Sequence, residues 1–502
     1  MKLRVGLFMV VALTLGGCVS VFAAELPNIV FILADDLGYG DLGCYGQQKI
    51  KTPSVDTLAG EGLRFTRHYS GNNVCAPSRA TLMTGMHPGH CVIRNNMEVQ
   101  PEGQMSMPEG TVTLVGELKK LGYVSGAFGK WGLGAPDSVS SPLRVGFDRF
   151  YGYNCQRVAH SYYPEFLWDD DQRVVVNKTT IPGHAPLDTG ADPNDPNSYL
   201  KFQGENYSAD LIADEVMRFV GNHVENNADQ PFFLYWPTTV PHLALQVPDD
   251  SLKEYQGLWD DPPYPGDNGY TPQFTPRAAY AAMVTRLDRE VGRLVQLLKD
   301  KGVYENTIII FSSDNGPLWD RFAGTDSEFF NSHGGLRGRK GGMYEGGIRV
   351  PCIVSWPGKI QPETITDRMS GFEDWFPTLL EIAGVTPHEQ QPCDGFSLVP
   401  LLLGEKSDRP VREWLYRESP GYGGQQTVML GDWKALRIDW ATAKRTGKTI
   451  DDVPVELYNL KDDPAEENNV AAKYPEKARE LRELMEREHV PSSGFPMPLL
   501  DD

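Results

Sequence analysis

The chain has 502 residues, 47 of them basic and 67 acidic, for a formal net charge of −20. That acidity argues against non-specific nucleic-acid binding, and it obliges any site for an anion to concentrate positive charge locally. Length alone would allow about three domains, although single α/β cores of this size are common.

In chain order, Lys2 and Arg4 precede a run over 5–16 in which only Thr14 is polar. This reads as a secretory signal over residues 1–24, too short to span a membrane. Val21 and Ala23 fit ordinary cleavage, whereas Leu15-Gly16-Gly17-Cys18 resembles a bacterial lipobox in which Cys18 would be acylated. Ordinary cleavage is preferred. The product is then exported, periplasmic or extracellular, with membrane attachment only if Cys18 carries lipid. Of seven cysteines, five remain once Cys18 and Cys75 are set aside. That number gives no complete disulfide framework, though one or two bridges stay open, and no spacing matches a zinc site.

The apolar run over 27–34 ends in Asp35-Asp36, which suits a buried parallel strand carrying two carboxylates at its carboxyl edge, where ligands bind in open α/β sheets. A short amphipathic helix is predicted over 52–63 and a strand over 65–69. A helix then starts near Pro77-Ser78 and places Cys75 beside an N-terminus that favours an anion. A helix over 112–121 and a strand over 123–128 deliver Gly129-Lys130-Trp131-Gly132.

The aromatic-rich stretch 147–168 offers stacking faces for a sugar ring, and 169–207 reads as a polar surface insertion. A helix over 208–224 and a strand over 231–236 lead to Val240-Pro241-His242. The longest helix is predicted over 275–301. The strand over 307–311 ends in Asp314-Asn315, repeating the arrangement at Asp35. The glycine-rich segment 333–351 reads as a loop that brings Arg337, Arg339 and Lys340 to a ligand. A short strand over 351–355 and a helix over 372–383 follow. Beyond 403, alternating runs and a charged helix over 475–488 indicate a small antiparallel sheet with one helix. The expected fold is α/β: a large, mostly parallel sheet flanked by helices over 25–405, and an α+β subdomain over 406–502.

The string from Cys75 to Gly85 has every fixed position of C-x-P-S-R-x-x-x-x-T-G, and it resembles the signature of the type I sulfatases. The stretch Gly122-Tyr123 to Gly129-Lys130 is similar to the second signature of that family, and 333–351 to its substrate-lysine loop. The resemblance implies that a formylglycine-generating or anaerobic sulfatase-maturating enzyme oxidises Cys75 to formylglycine, whose hydrate attacks sulfur. It further implies that Arg79 and Lys130 hold the hydrate, that Lys340 and His242 grip the sulfate, and that His242 protonates the leaving alcohol. Asp35, Asp36, Asp314 and Asn315 offer only oxygen ligands, which suits a hard divalent cation, calcium before magnesium. Cys75, once oxidised, would complete that set.

One position departs from the pattern: many members carry histidine where this chain has Gly132. His160 or His87 could supply the missing base, and His160 is the preferred candidate. The expected activity is removal of sulfate from a saccharide, with galactose or N-acetylgalactosamine sulfate in view. A phosphonate or phosphodiester hydrolase, or a non-catalytic glycan-binding protein, are the alternatives.

Overall fold

The computed structural model describes residues 26–386 and 392–501, so the secretory signal expected over 1–24 lies outside the described residues. Ten strands make one sheet. Its centre is five parallel strands in the spatial order Thr307–Ser313, Asn28–Ala34, Phe232–Pro237, Val124–Lys130 and Arg149–Tyr153.

The continuous apolar runs follow from burial on both faces. Val30, Ile32 and Ala34 enter one core, while Ile29, Phe31 and Leu33 enter the other. The first core is closed by helices Ser208–Asn226 and Pro276–Asp300. The second is closed by Cys75–Thr84, Leu114–Lys120 and Trp375–Ile382. In the longest helix the periodic residues Ala279, Met283, Leu287, Val291, Leu294 and Leu298 are all buried.

Two stretches differ from expectation. The strand predicted over 65–69 divides: Leu63–Phe65 joins the main sheet, and His68–Tyr69 pairs with Ser370–Gly371 in a separate one. The chain leaves the ladder at Thr66, whose carbonyl accepts from Arg349 Nε at 2.6 Å. The segment 147–207 is more regular than its composition suggests. It contributes strands Arg149–Tyr153, Phe166–Asp169 and Gln172–Val175, and Tyr199 and Phe202 are buried.

The C-terminal part is a four-stranded antiparallel sheet of Trp414–Ser419, Gln425–Leu430, Trp433–Arg437 and Glu456–Asn459. Helix Pro475–Glu488 covers one face through Leu481, Leu484 and Met485. The other face packs Leu415, Met429 and Leu436 against Met343 and Ile348 of the glycine-rich loop. The loop is therefore held between two sheets. Among the described residues no disulfide forms, and no helix is long and apolar enough to cross a membrane.

Candidate active site

The carboxyl edges of neighbouring strands set the site. Asp35 follows Asn28–Ala34, Asp314 follows Thr307–Ser313, and Lys130 ends Val124–Lys130. Backbone hydrogen bonds continue past the strands and fix the spacing: Asp314 N donates to Ala34 O at 3.0 Å, and Asp35 N to Val240 O at 3.1 Å. Asp36 turns back with φ +65, which lets its amide donate to Asp314 Oδ1 at 3.2 Å.

Cys75 is the first residue of helix Cys75–Thr84, so the helix begins two residues before the predicted Pro77 start. Val74 is extended at φ −147, Ala76 N donates to Asn96 Oδ1 at 3.0 Å and Pro77 has no amide proton, so the positive charge beside residue 75 comes from side chains and not from first-turn amides. Cys75 Sγ lies 3.4 Å from Lys340 Nζ, 3.5 Å from Lys130 Nζ and 3.5 Å from Asp35 Oδ1. One helical turn on, Arg79 bonds Asp314 through Nε and Nη2, bonds the Lys130 carbonyl through Nη1, and reaches Asp35 at 3.4 Å. Lys130 Nζ is 2.6 Å from Asp35 Oδ2, and Lys340 Nζ is 2.7 Å from Asp36 Oδ1. Three carboxylates and three cations thus share one buried volume.

Burial works against every charge in this group, and the pairings decide the outcome. Burial alone would raise Asp35, yet Lys130, Arg79 and Lys340 hold it well below the usual carboxylate range. Asp314 is pushed up to about 6 by burial and by Asp35, and Asp36 is raised chiefly by burial. Burial would strip Lys340 of its proton, but Asp36 and its neighbours hold it well above the ordinary value. The Cys75 thiol is pushed up to about 12 by burial. As an unmodified thiol it is a poor nucleophile at neutral pH.

His242 Nδ1 is 2.8 Å from the Leu243 carbonyl, which only accepts, so the neutral ring carries its proton there. Its Nε2 faces Asp36 at 3.4 Å. Burial and Lys340 hold this ring well below the usual histidine range.

The donor set fits a hard divalent cation. Ligand atoms of Asp35, Asp36, Cys75 and His242 lie within 4.8 Å of one another, and Asp314 adjoins them. Asn315 donates to Asp36 through Nδ2, while its Oδ1 is buried with no hydrogen-bond partner. A cation would satisfy such an orphaned oxygen among carboxylates.

Above the cysteine opens a cavity of about 580 Å³ that takes in Cys75, Lys130, Lys340, His242 and His160. Its lining is polar at Glu98, Gln104, Gln156 and Arg157, and aromatic at Tyr270, Trp319, Phe322 and Tyr422. His160 stacks on His242 with centroids 4.8 Å apart, and its Nδ1 meets His184 Nε2 at 2.7 Å.

Arg337 and Arg339 do not reach this cavity. Arg337 bonds Tyr458 Oη and the Glu466 carbonyl, with its guanidinium 3.9 Å from the Tyr344 ring centroid. Arg339 bonds Ser327 and Glu328. Both brace the loop that carries Lys340. His87 is likewise elsewhere, packed against His90 and Tyr416 with Glu488 at 3.4 Å. Gln156, His184, Tyr270 and Trp319 were not singled out from the sequence as site residues. Each follows a loop whose direction no local pattern encodes.

A parallel sheet that gathers carboxylates, lysines and a cysteine in the first turn of a helix at its carboxyl edge has the makings of a hydrolase of anionic esters. The sulfatase family profile matches residues 27–385, and a profile described as N-sulphoglucosamine sulphohydrolase, C-terminal, matches 338–490. The chain is 33% identical to arylsulfatase A of Homo sapiens, over 92% of this chain and 87% of that protein. It is 30% identical to the N-acetylgalactosamine-6-O-sulfatase of Bacteroides thetaiotaomicron, over 92% and 93% respectively. Among solved structures, Ps i-CgsB in complex with k-i-k-neocarrahexaose superposes with a TM-score of 0.72 at 26% identity, covering 92% of this chain and 93% of that one. The chain belongs to the sulfatase family of the alkaline phosphatase superfamily, and it is a sulfuric ester hydrolase.

Proposed function

We propose that the protein removes sulfate from a saccharide, using formylglycine made from Cys75 and a calcium ion held by Asp35, Asp36, Asp314 and Asn315. The observation that carries the saccharide reading is the mixed lining of the cavity: aromatic rings suited to stack on a pyranose ring, with amide and charged groups suited to bond its hydroxyls. The N-acetylgalactosamine-6-O-sulfatase relative supports a galactose or N-acetylgalactosamine sulfate.

When bound, the cation withdraws charge from a sulfate oxygen as a Lewis acid. Oxidised and hydrated, residue 75 supplies the attacking oxygen and a second hydroxyl that lets sulfate leave; serine or unmodified cysteine lacks that second hydroxyl. Lys130, anchored on Asp35, and Lys340, anchored on Asp36, meet the reacting centre from two sides and offset the charge of the sulfate. Arg79 holds Asp314 and Asp35 in register beneath it. An arriving anion favours protonation of His242, whose Nε2 faces the same volume and can hand its proton to the departing alcohol.

A maturation enzyme is the partner this chemistry requires, and export is the setting that the leading segment suits. The test is mass spectrometry of the Cys75 peptide from the native host, followed by turnover of sulfated galactose and N-acetylgalactosamine beside the matching phosphate esters. Formylglycine with sulfate turnover is expected. Unmodified cysteine throughout, or faster phosphate release, would overturn the reading.

A further inference from the structure

Gly132 and Gln156 share one space. The strands Val124–Lys130 and Arg149–Tyr153 pair Lys130 with Tyr153. The ladder then runs on: Trp131 N donates to Tyr153 O at 2.8 Å and Gly132 N to Asn154 O at 3.2 Å. This pins residue 132 beside the segment that carries Gln156. A Cβ on Gly132 would stand 2.8 Å from Gln156 Nε2, and the φ of +75 there disfavours any side chain. Absence of a side chain at 132 therefore admits the carboxamide.

Gln156 is only 6% exposed, it lines the Cys75 cavity, and its Nε2 is buried with no hydrogen-bond partner. Buried amide nitrogens are normally paired, so an unpaired one in a ligand cavity marks a place where a ligand atom belongs.

We propose that Gln156 is a substrate-positioning residue that donates a hydrogen bond to a hydroxyl or ring oxygen of the sulfated sugar, in the space left open at Gly132. A carboxamide does not exchange protons in the neutral range, so its part is orientation and selectivity, not proton transfer. The inference rests on the saccharide reading and deepens it. It assigns to this wall the discrimination between a sugar sulfate and an ester without hydroxyls.

The test compares Gln156→Met, which keeps length and loses both donors, and Gln156→Ala on two substrates: N-acetylgalactosamine 6-sulfate or galactose 6-sulfate, and 4-nitrophenyl sulfate. The fully matured protein is used. Both variants should lose about 10- to 100-fold in kcat/KM on the sugar, mostly as a rise in KM, and less than about threefold on the aryl ester. Equal losses on the two substrates, or no loss on the sugar, would overturn the proposal. A wild-type enzyme that cleaves only the aryl ester would instead remove the saccharide reading on which it stands. A structural control uses Gly132→His alone and with Gln156→Gly. The single variant should melt lower than the double, and the reverse order would show that the two positions do not compete for space.

Discussion

Arg79 and Asp314 meet on a single oxygen: Nε and Nη2 of the guanidinium lie 3.1 and 2.8 Å from Asp314 Oδ2, and neither side chain is exposed. The pair links the helix that starts at Cys75 to the strand end that carries one of the carboxylates proposed to hold the metal. Arg79→Ala would leave that carboxylate buried without its partner. A loss of about 3–5 kcal/mol in denaturant unfolding is expected, together with loss of turnover. Arg79→Lys keeps the charge but not the fork, so it should recover part of the stability and little activity. An Arg79→Ala protein as stable as the parent would show the pair to be dispensable.

Removal of metal should act on fold and chemistry together. Three buried carboxylates and the orphaned Asn315 oxygen converge here, so chelation should lower the melting temperature and abolish turnover. Adding calcium back should restore both. Zinc that restored activity better than calcium would contradict the oxygen-ligand argument.

Trp319 is 52% exposed at the rim of the cavity, large and apolar where water would otherwise be. As a stacking face for the sugar next to the sulfated one, its replacement by alanine should raise KM about three- to tenfold on an oligosaccharide sulfate. Turnover of 4-nitrophenyl sulfate should be unchanged. The same loss on both substrates would point to a collapsed loop.

Stability against acid should depend on Glu373. Burial would raise this carboxyl, but Arg417 and Arg412 hold it at about 2, below its ordinary 4.5. A depressed folded-state value contributes stability that is complete above about pH 4.5 and is lost as pH falls toward 2, by about 3 kcal/mol in all. Glu373→Gln should therefore be less stable than the parent at pH 7, and the gap should narrow over that interval. A gap that stays constant with pH would mean the loss is one of packing alone.

Much of the site was legible because its residues sit where apolar strands stop. Asp35, Lys130 and Asp314 each close a run buried on both faces, and such runs announce themselves locally. The glycine-rich loop was harder to read. Its composition says that it bends close to something, yet only the packing decides that Lys340 turns toward Cys75 while Arg337 and Arg339 turn away toward Tyr458 and Glu328. The aromatic stretch after Phe147 hid two strands, because buried aromatics carry no period once both faces are covered. Gln156 and Trp319 had no local mark. Their importance comes from the cavity they line.

The Lys340 loop is tied down from far along the chain. Gln425 Nε2 bonds the Gly341 carbonyl at 2.7 Å, Lys434 bonds buried Glu345 at 2.9 Å, and Leu415 and Leu436 press on Met343 and Ile348. Asp35, Lys130 and Lys340, the side chains against Cys75 Sγ, have all been synthesised by position 340, but the brace arrives only with residues 415–436. A chain cut short between those points would contain Lys340 and still lack the contacts that hold it in place. Loss of activity by early termination would then be a failure of posture rather than of chemistry.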